Sequence, residues 1–279
     1  MALREQEAVL TPLTVPEEVD DEFYYGHRIV ITHDEAGREI FTYQPLTLED
    51  FLDPQEGDHF VQGTLHNDDT EQAKSIFRHL HEEDSTAAVF SDLKMVWDIE
   101  GLSQPAPDVA VIPNVKDPDR PRREFDVAVE GTRPRFVLEI VSPRYRKPDR
   151  EEKVAIYERA GVEEYVIIDS WLQEGEVSYE VLGYRLEEGV YVEIEPDERG
   201  WIYSAVNNVW IGVSEERDRF FVVDARTGER ILPDREARLI AEGRAQFEAA
   251  ARVEAERRAQ ALEAEIARLR EQMERNRPA

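Results

Sequence analysis

The sequence predicts an α/β fold in which a mixed sheet is flanked by helices, extended by antiparallel strands and followed by a long C-terminal helix. The run from Phe136 to Val141 is almost continuously apolar, as expected of a strand covered on both faces. A helix that starts at Asp149 and ends at Gly161, and a strand from Tyr165 to Asp169, complete a strand-helix-strand unit with parallel strands. After Pro233 the composition shifts to Ala, Glu, Arg, Gln and Leu, which is typical of a long helix.

The first 45 residues are predicted to form an arm and a hairpin. Residues 1–21 are acidic and contain two prolines, so we expect a loosely held arm. The β-rich runs His27 to Thr32 and Glu39 to Tyr43 flank turn residues, which predicts a hairpin. A short helix is expected to start at Thr47.

A longer helix and two strands are predicted before the strand-helix-strand unit. Asp68 or Asp69 is the expected N-cap of the helix, which has one buried face made of Ala73, Ile76, Phe77 and Leu80. Val89 to Ile99 and Val109 to Ile112 are predicted strands. Beyond residue 178 the pattern becomes β, and we expect antiparallel additions to one edge of the sheet at Tyr179 to Leu186, Val190 to Glu195, Trp201 to Val206, Val209 to Val213 and Phe220 to Val223.

The C-terminal helix carries an apolar seam in its distal half. Alternating steps of four and three residues predict a coiled coil that pairs two copies of the chain, formed by Ala255, Ala259, Leu262, Ile266, Leu269 and Met273. The alternative is a single charged helix packed back on the body. The expected organisation is therefore an arm and hairpin over 1–45, an α/β domain over 46–233 and the helix over 234–279.

Charge is distributed unevenly along the chain. The net charge is -28, yet the segment from Lys116 to Lys153 holds eleven basic and nine acidic residues, and the tail from Asp234 is neutral. An evenly spread negative charge would repel nucleic acid, whereas a local basic segment permits contact. The absence of cysteine excludes disulfides and thiolate sites, and no apolar run is long enough to span a bilayer. We expect a cytoplasmic protein.

Two carboxylates interrupt apolar strand sequence. Asp108 begins the run that continues to Ile112, and Glu139 lies inside the central strand. A carboxylate in a covered strand needs a cation or a partner, because desolvation of an isolated charge is costly. Mg²⁺ or Mn²⁺ held by Asp108, Glu139 and the Ile140 carbonyl would satisfy this need, since Mg²⁺ binds one or two carboxylates with further oxygens. An ion pair of Glu139 with Arg133 or Arg135 is the alternative.

Several spaced motifs carry a resemblance to a known family. They are Pro107-Asp108, Glu139-Ile-Val-Ser-Pro143, Asp149 with Lys153 and Tyr157, Ala160-Gly-Val162, and Glu164-Tyr165 through Asp169. Together they resemble the core of the Uma-two family of the PD-(D/E)XK nuclease superfamily. The resemblance implies a restriction-endonuclease-like fold, Asp108 and Glu139 as metal ligands, and DNA as the substrate.

The superfamily pattern places a lysine two residues after the glutamate, where this chain has Val141. Lys153 is the expected replacement, because it begins the helix that follows the strand and its side chain can return toward the strand end. Its role would be to position the attacking water and to stabilise charge in the transition state. The alternative is an exposed lysine paired with Asp149.

Further candidates surround these residues. The basic tetrad Arg144, Tyr145, Arg146 and Lys147 would contact phosphate, with Tyr145 free to stack on an unpaired base, unless it is simply a solvated loop. His66 has a counterpart in the family and is expected just before the first long helix. Asp149 and Tyr157 are further possible site residues.

The sequence thus favours a metal-dependent endonuclease that hydrolyses DNA and dimerises through its C-terminal helix. The competing hypothesis is a catalytically inactive protein that retains the nuclease fold and assembles through the coiled coil. If the protein is an endonuclease, Asp108, Glu139 and Lys153 should converge in one cleft, whereas the inactive assembly protein does not require this.

Overall fold

The computed structural model describes residues 24–141, 144–173 and 176–275. The predicted N-terminal arm and the motif residues Ser142 and Pro143 lie outside these ranges. Within them the helices are α1 (Leu48–Leu52), α2 (Thr64–Leu80), α3 (Val127–Glu130), α4 (Lys153–Ala160) and α5 (Asp234–Arg275), and a π-helical turn, Pro148–Glu152, leads into α4. The strands are β1 (His27–His33), β2 (Glu39–Pro45), β3 (Asp58–His59), β4 (Ala88–Phe90), β5 (Lys94–Val96), β6 (Val109–Ile112), β7 (Glu124–Asp126), β8 (Phe136–Val141), β9 (Glu164–Gln173), β10 (Glu176–Glu187), β11 (Val190–Glu193), β12 (Ile202–Ser204), β13 (Val209–Val213), β14 (Phe220–Asp224) and β15 (Arg230–Ile231).

A six-stranded mixed sheet forms the centre of the fold, in the order β11-β10-β9-β8-β6-β4. β8 and β9 are parallel, and the other neighbours are antiparallel. The predicted α/β fold class is confirmed, including the strand-helix-strand unit built from β8, α4 and β9. Every residue of β8 is buried, as expected of a strand covered on both faces.

Alternate residues of β8 face different layers, because successive side chains of a strand point to opposite faces. Leu138 and Ile140 pack in a core formed with α2 and strands β12 to β14. Val137 and Val141 pack in a second core, formed with α4 and the β5-β7 pair. Glu139 has the parity of Val137 and Val141, so its carboxylate faces the α4 layer.

Two predictions about the first half of the chain are wrong. The predicted strand from Val89 to Ile99 is divided into β4 and β5, which belong to different sheets, because the chain turns at Asp92, where φ is 52°. α2 begins earlier than expected, with Gly63 as its N-cap. Asp69 therefore lies inside the helix, where its carboxylate accepts a hydrogen bond of 2.9 Å from the Tyr179 hydroxyl.

The later strands do not all extend one edge of the central sheet. β10 and β11 do so, but β12 to β15 form a separate four-stranded antiparallel sheet. Glu164 joins the two sheets, since its buried carboxylate accepts hydrogen bonds from the Ser204 hydroxyl and the Ala205 amide of the smaller sheet's first hairpin. This sheet covers the face of the central sheet that also carries α2.

α5 is one continuous helix over its 42 residues. Its seam residues Leu262, Ile266 and Leu269 are 47 to 59% exposed, so they do not pack back on the body. The alternative of a tail helix whose seam is buried by its own domain is therefore excluded for these three residues. Among the described helices, none is long and apolar enough to cross a membrane.

Candidate active site

The pairing of β6 with β8 brings Asp108 and Glu139 together. Val109 pairs with Leu138, so Asp108, which directly precedes β6, lies beside Glu139 and Ile140. The Ile140 amide donates to Asp108 Oδ2 at 2.7 Å, and the Asp108 amide donates to Glu139 Oε2 at 3.4 Å. The two carboxylates predicted to be metal ligands thus share one buried region.

Lys153 reaches this region from the start of α4. Its Nζ lies 3.0 Å from Glu139 Oε1 and 2.8 Å from Asp149 Oδ1. Asp149 is not the helix cap predicted from sequence, because the π-helical turn rotates its side chain inward, where it is only 3% exposed. The i,i+4 pair of Asp149 with Lys153 exists as the alternative proposed, but it is buried rather than exposed.

His66 and Tyr157 complete the cluster. His66 lies in the first turn of α2 rather than before it, with Nδ1 2.9 Å from the Ile140 carbonyl oxygen and Nε2 3.4 Å from Asp108 Oδ1. The Tyr157 hydroxyl donates to Glu139 Oε1 at 2.7 Å. Each carboxylate therefore has polar partners from a neighbouring helix.

The alternative ion pairs for Glu139 do not form. Arg133 pairs with Asp98, and Arg135 pairs with Glu163, both on the surface of the domain. Glu139 instead contacts Lys153, the Tyr157 hydroxyl and the Asp108 amide.

Burial sets the protonation of the acidic members of the cluster. It raises the pKa of Glu139 to about 8, an effect that Asp108 and Asp149 reinforce and Lys153 opposes. Burial also raises the pKa of Asp149 to about 6, against the influence of Lys153. Asp108 behaves differently: burial disfavours its charged form, but His66, Lys153 and the Ile140 amide together hold its pKa below the ordinary value.

The basic members are held in their charged forms. Burial disfavours the charged imidazole of His66, yet the contacts with Asp108 and the Ile140 carbonyl raise its pKa to about 9. Burial also opposes the charge on Lys153, but Asp149, Glu139 and Asp108 raise its pKa above the ordinary value. The cluster thus has three carboxyl groups, those of Asp108, Glu139 and Asp149, and two cationic groups, so Glu139 and Asp149 share Lys153 while Asp108 contacts His66.

The donor set fits a small divalent cation. Asp108, Glu139 and the Ile140 carbonyl offer hard oxygen donors, the type that Mg²⁺ and Mn²⁺ prefer. Burial is the main cause of the raised pKa of Glu139, and a divalent cation bound beside its carboxylate would favour the charged form and lower that pKa. In the described part of the chain, no three His, Asp or Glu side chains are arranged as a ready metal cage, so carbonyl and water oxygens would have to complete the shell.

Three residues of the basic tetrad, Arg144, Tyr145 and Arg146, contact other parts of the protein. Tyr145 is 2% exposed and stacks on Tyr25 at a centroid distance of 5.7 Å, so the expectation that it is free to stack on a base is wrong. Arg146 pairs with Asp169 at 2.7 Å, and Arg144 donates to the Tyr24 carbonyl at 2.7 Å. Lys147 is exposed.

Sequence reasoning missed the aromatic cover of the cluster. The Phe51 ring, from α1, lies 4.8 Å from Lys153 Nζ and 4.5 Å from the Tyr145 ring, centroid to centroid. The Tyr25 ring packs beside Phe51, at 5.9 Å between ring centroids. No local pattern predicts this contact, because about a hundred residues separate Phe51 from Lys153.

The comparisons with known proteins bear on the same part of the chain. No curated protein matches this sequence. One crystal structure found in the comparison, of "a putative nuclease belonging to DUF820 from Anabaena variabilis", is 18% identical, covers 58% of this chain and 91% of its own, and superposes with a TM-score of 0.39. The model of the family described as "Uma2: Putative restriction endonuclease" matches residues 56–214, more than half of the chain, and includes Asp108, Glu139 and Lys153. This chain belongs to the Uma-two family of restriction-endonuclease-like proteins.

Proposed function

We propose that this protein is a Mg²⁺-dependent or Mn²⁺-dependent endonuclease that hydrolyses DNA phosphodiester bonds in the cytoplasm. The observation that carries the proposal is the contact of Lys153 with Glu139, beside Asp108, in a member of a nuclease-like family. These residue types meet the requirements of phosphodiester hydrolysis, which are an anionic metal-binding pair and a positive charge near the developing phosphorane.

Each side chain of the cluster has a distinct role in this proposal. Asp108, Glu139 and the Ile140 carbonyl hold the metal ion, which when bound acts as a Lewis acid and lowers the pKa of a coordinated water. Lys153 orients the attacking water and stabilises charge on the phosphoryl oxygens. Asp149 is a positioning residue for Lys153.

Two further positioning residues act on the carboxylates. Tyr157 fixes the orientation of Glu139 through its 2.7 Å hydrogen bond. His66 connects Asp108 to the Ile140 carbonyl and so fixes the relative positions of two proposed ligands.

Access to the cluster requires a movement of its cover. Asp108, Glu139 and Lys153 are each 5% exposed or less, which leaves no path for a phosphodiester. Phe51 is the side chain over Lys153, and it belongs to α1, outside the residues matched by the family model. Displacement of α1 would open the cluster while leaving the central sheet intact.

The C-terminal helix supports a second part of the proposal, that two copies of the chain pair through α5. Leu262, Ile266 and Leu269 are exposed along one seam, and exposed apolar seams of this kind are stabilised by association. Two sites in one dimer could address both strands of a duplex. The same exposed seam favours the alternative function, an inactive nuclease-fold protein that acts through assembly.

Cleavage of a supercoiled plasmid separates the two functions. The proposal predicts nicked or linear product with the wild type in Mg²⁺ or Mn²⁺, and loss of that product with Glu139→Gln. An intact plasmid in all reactions, with a folded dimeric protein, would favour the assembly function.

A further inference from the structure

A groove beside the edge strand β4 has the chemistry of a phosphate-binding surface. It is an open depression of about 790 Å³ between the C-terminal half of α2, β4 and residues 118–122. Lys74 and Arg78 line it from α2, and Arg120 lines it from the opposite side. Three of the four residues of the basic tetrad make internal contacts and only Lys147 is exposed, so further cationic side chains are needed for phosphate contacts, and the groove offers Lys74 and Arg78.

The basic residues of the groove continue a stripe that starts at the active-site cluster. His66, Thr70, Lys74 and Arg78 follow one another at steps of four along α2. Each lies about 6 Å further along the axis and is turned by about 40° from the one before, so the row winds from the buried side of the helix to its exposed side. His66 contacts Asp108 at one end of the stripe, and Arg78 is exposed at the other. The buried Thr70 hydroxyl between them has no hydrogen-bond partner among the described residues.

Lys74 and Arg78 have side chains available for an anion. Neither makes an ion pair with any residue in the described ranges, in contrast to Arg120, which shares Glu130 with Arg122. Three acidic residues also line the groove, namely Glu82, Asp84 and Asp119, and none of them lies on α2. We therefore assign the phosphate contacts to the α2 side alone.

Asp92 connects the groove with the active-site cluster. Its amide donates to the Pro107 carbonyl at 3.0 Å, which places Asp92 next to Asp108 across the β4-β6 pair. Its carboxylate is close enough to Asp108, His66 and Lys74 to interact with them electrostatically. Its chain neighbours Ser91 and Leu93 line the groove, so the chain segment at Asp92 borders both the groove and Asp108.

We propose that this groove binds the phosphate backbone of the nucleic acid strand that enters the active site, with Lys74 and Arg78 as its phosphate contacts. The inference rests on the proposed function for the claim that the bound strand leads into the active site. Binding of the strand to the groove does not itself require cleavage. Contacts to phosphate position a strand without reading its sequence, so the groove predicts binding that is independent of sequence and sensitive to salt.

Fluorescence anisotropy with labelled DNA tests this proposal. The parent protein is full-length Glu139→Gln in EDTA, so that cleavage does not interfere, and the variant adds Lys74→Gln and Arg78→Gln. A matched control adds Arg252→Gln and Arg257→Gln, two exposed arginines of α5. Each protein is titrated with a single-stranded oligonucleotide and with the corresponding duplex over a range of salt concentrations.

Loss of two phosphate contacts has a defined size. The slope of log K against log salt should become shallower by about 1.4 for a single strand or about 1.8 for a duplex, which is about 25-fold or about 60-fold weaker binding at 0.1 M salt. If only the single strand or only the duplex shows its predicted change in slope, that is the form of DNA that the groove binds. The control should bind like the parent.

Other outcomes overturn the inference. Equal affinities and slopes of the parent and the Lys74/Arg78 variant would exclude the groove, while plasmid cleavage by the wild type would leave the proposed function standing. If poly-L-glutamate displaces the oligonucleotide as readily as unlabelled DNA does, the groove is a general polyanion-binding surface. That result would exclude a nucleic acid strand as its specific ligand. A shallower slope in a protein that never cleaves DNA would support the groove and remove the catalytic proposal alone.

Discussion

Lys153 Nζ lies 3.0 Å from Glu139 Oε1, although Lys153 belongs to the helix that follows the strand of Glu139 and not to the strand itself. The geometry arises from two features: Glu139 has the strand parity that faces α4, and the π-helical turn before α4 directs its first residue toward the sheet. Lys153 on the helix thus lies beside Glu139 and replaces the lysine that the superfamily pattern places two residues after the glutamate, where this chain has Val141.

Substitution of Lys153 should affect stability as well as activity. Lys153→Met leaves Asp149 and Glu139 without their buried cation, which should lower the free energy of unfolding by about 3 kcal/mol and abolish cleavage. Lys147→Met is the control, because Lys147 is exposed and should change stability by less than about 0.5 kcal/mol. Urea denaturation measures both. Equal stability of the two variants would show that the Lys153 pairs contribute nothing.

The stability of the metal-free protein should fall as pH rises from 5 to 9. Folded Glu139 retains its proton to about pH 8, whereas in the unfolded chain it loses the proton near its ordinary pKa of 4.5. The folded state therefore binds more protons within this window, and raising the pH favours unfolding. His66 acts in the same direction between its ordinary pKa of 6.5 and about 9.

Urea denaturation in EDTA at pH 6 and pH 8.5 measures this dependence. Glu139→Gln removes the titrating carboxyl and should show a smaller loss of stability between the two pH values than the wild type. An identical loss in both proteins would mean that Glu139 is already ionised at pH 6.

The cover formed by Phe51 should protect Lys153 from chemical modification. In the wild type, Lys153 is 4% exposed and its raised pKa keeps the amine protonated, so acetic anhydride should modify it slowly. Phe51→Ala removes the ring over Nζ and should increase modification of Lys153, measured by mass spectrometry. The exposed Lys147 should react equally in both proteins. Unchanged protection of Lys153 would show that Phe51 is not what closes the cluster.

The seam of α5 should determine the oligomeric state. Leu262→Glu with Leu269→Glu places charges on the exposed seam, and the full-length chain should then sediment as a monomer. Ending the chain at Pro233 should have the same effect, whereas Arg257→Glu, on the helix face opposite the seam, should leave the dimer intact. A dimer that survives the truncation would place the interface on the α/β body.

The elements that position the two carboxylates could be predicted from the sequence, but their surroundings could not. β6 and β8 have the predicted bounds, since continuous apolar runs identify covered strands, and a carboxylate inside or directly before such a run stands out. The inward rotation of Asp149 depends on the π-helical turn, and no periodicity of apolar residues in the sequence predicts such a turn. The burial of Tyr145 depends on Tyr25 and Phe51, and contacts between distant aromatic residues leave no local signal.

The central claim is that Asp108 and Glu139 hold a divalent cation, and calorimetric titration with Mn²⁺ tests it most directly. The wild type should bind one Mn²⁺, and Glu139→Gln should not. Asp69→Asn is the matched control, because Asp69 is also a buried carboxylate but pairs with Tyr179, and it should bind Mn²⁺ like the wild type. Equal Mn²⁺ binding by the wild type and Glu139→Gln would contradict the assignment of these carboxylates as metal ligands.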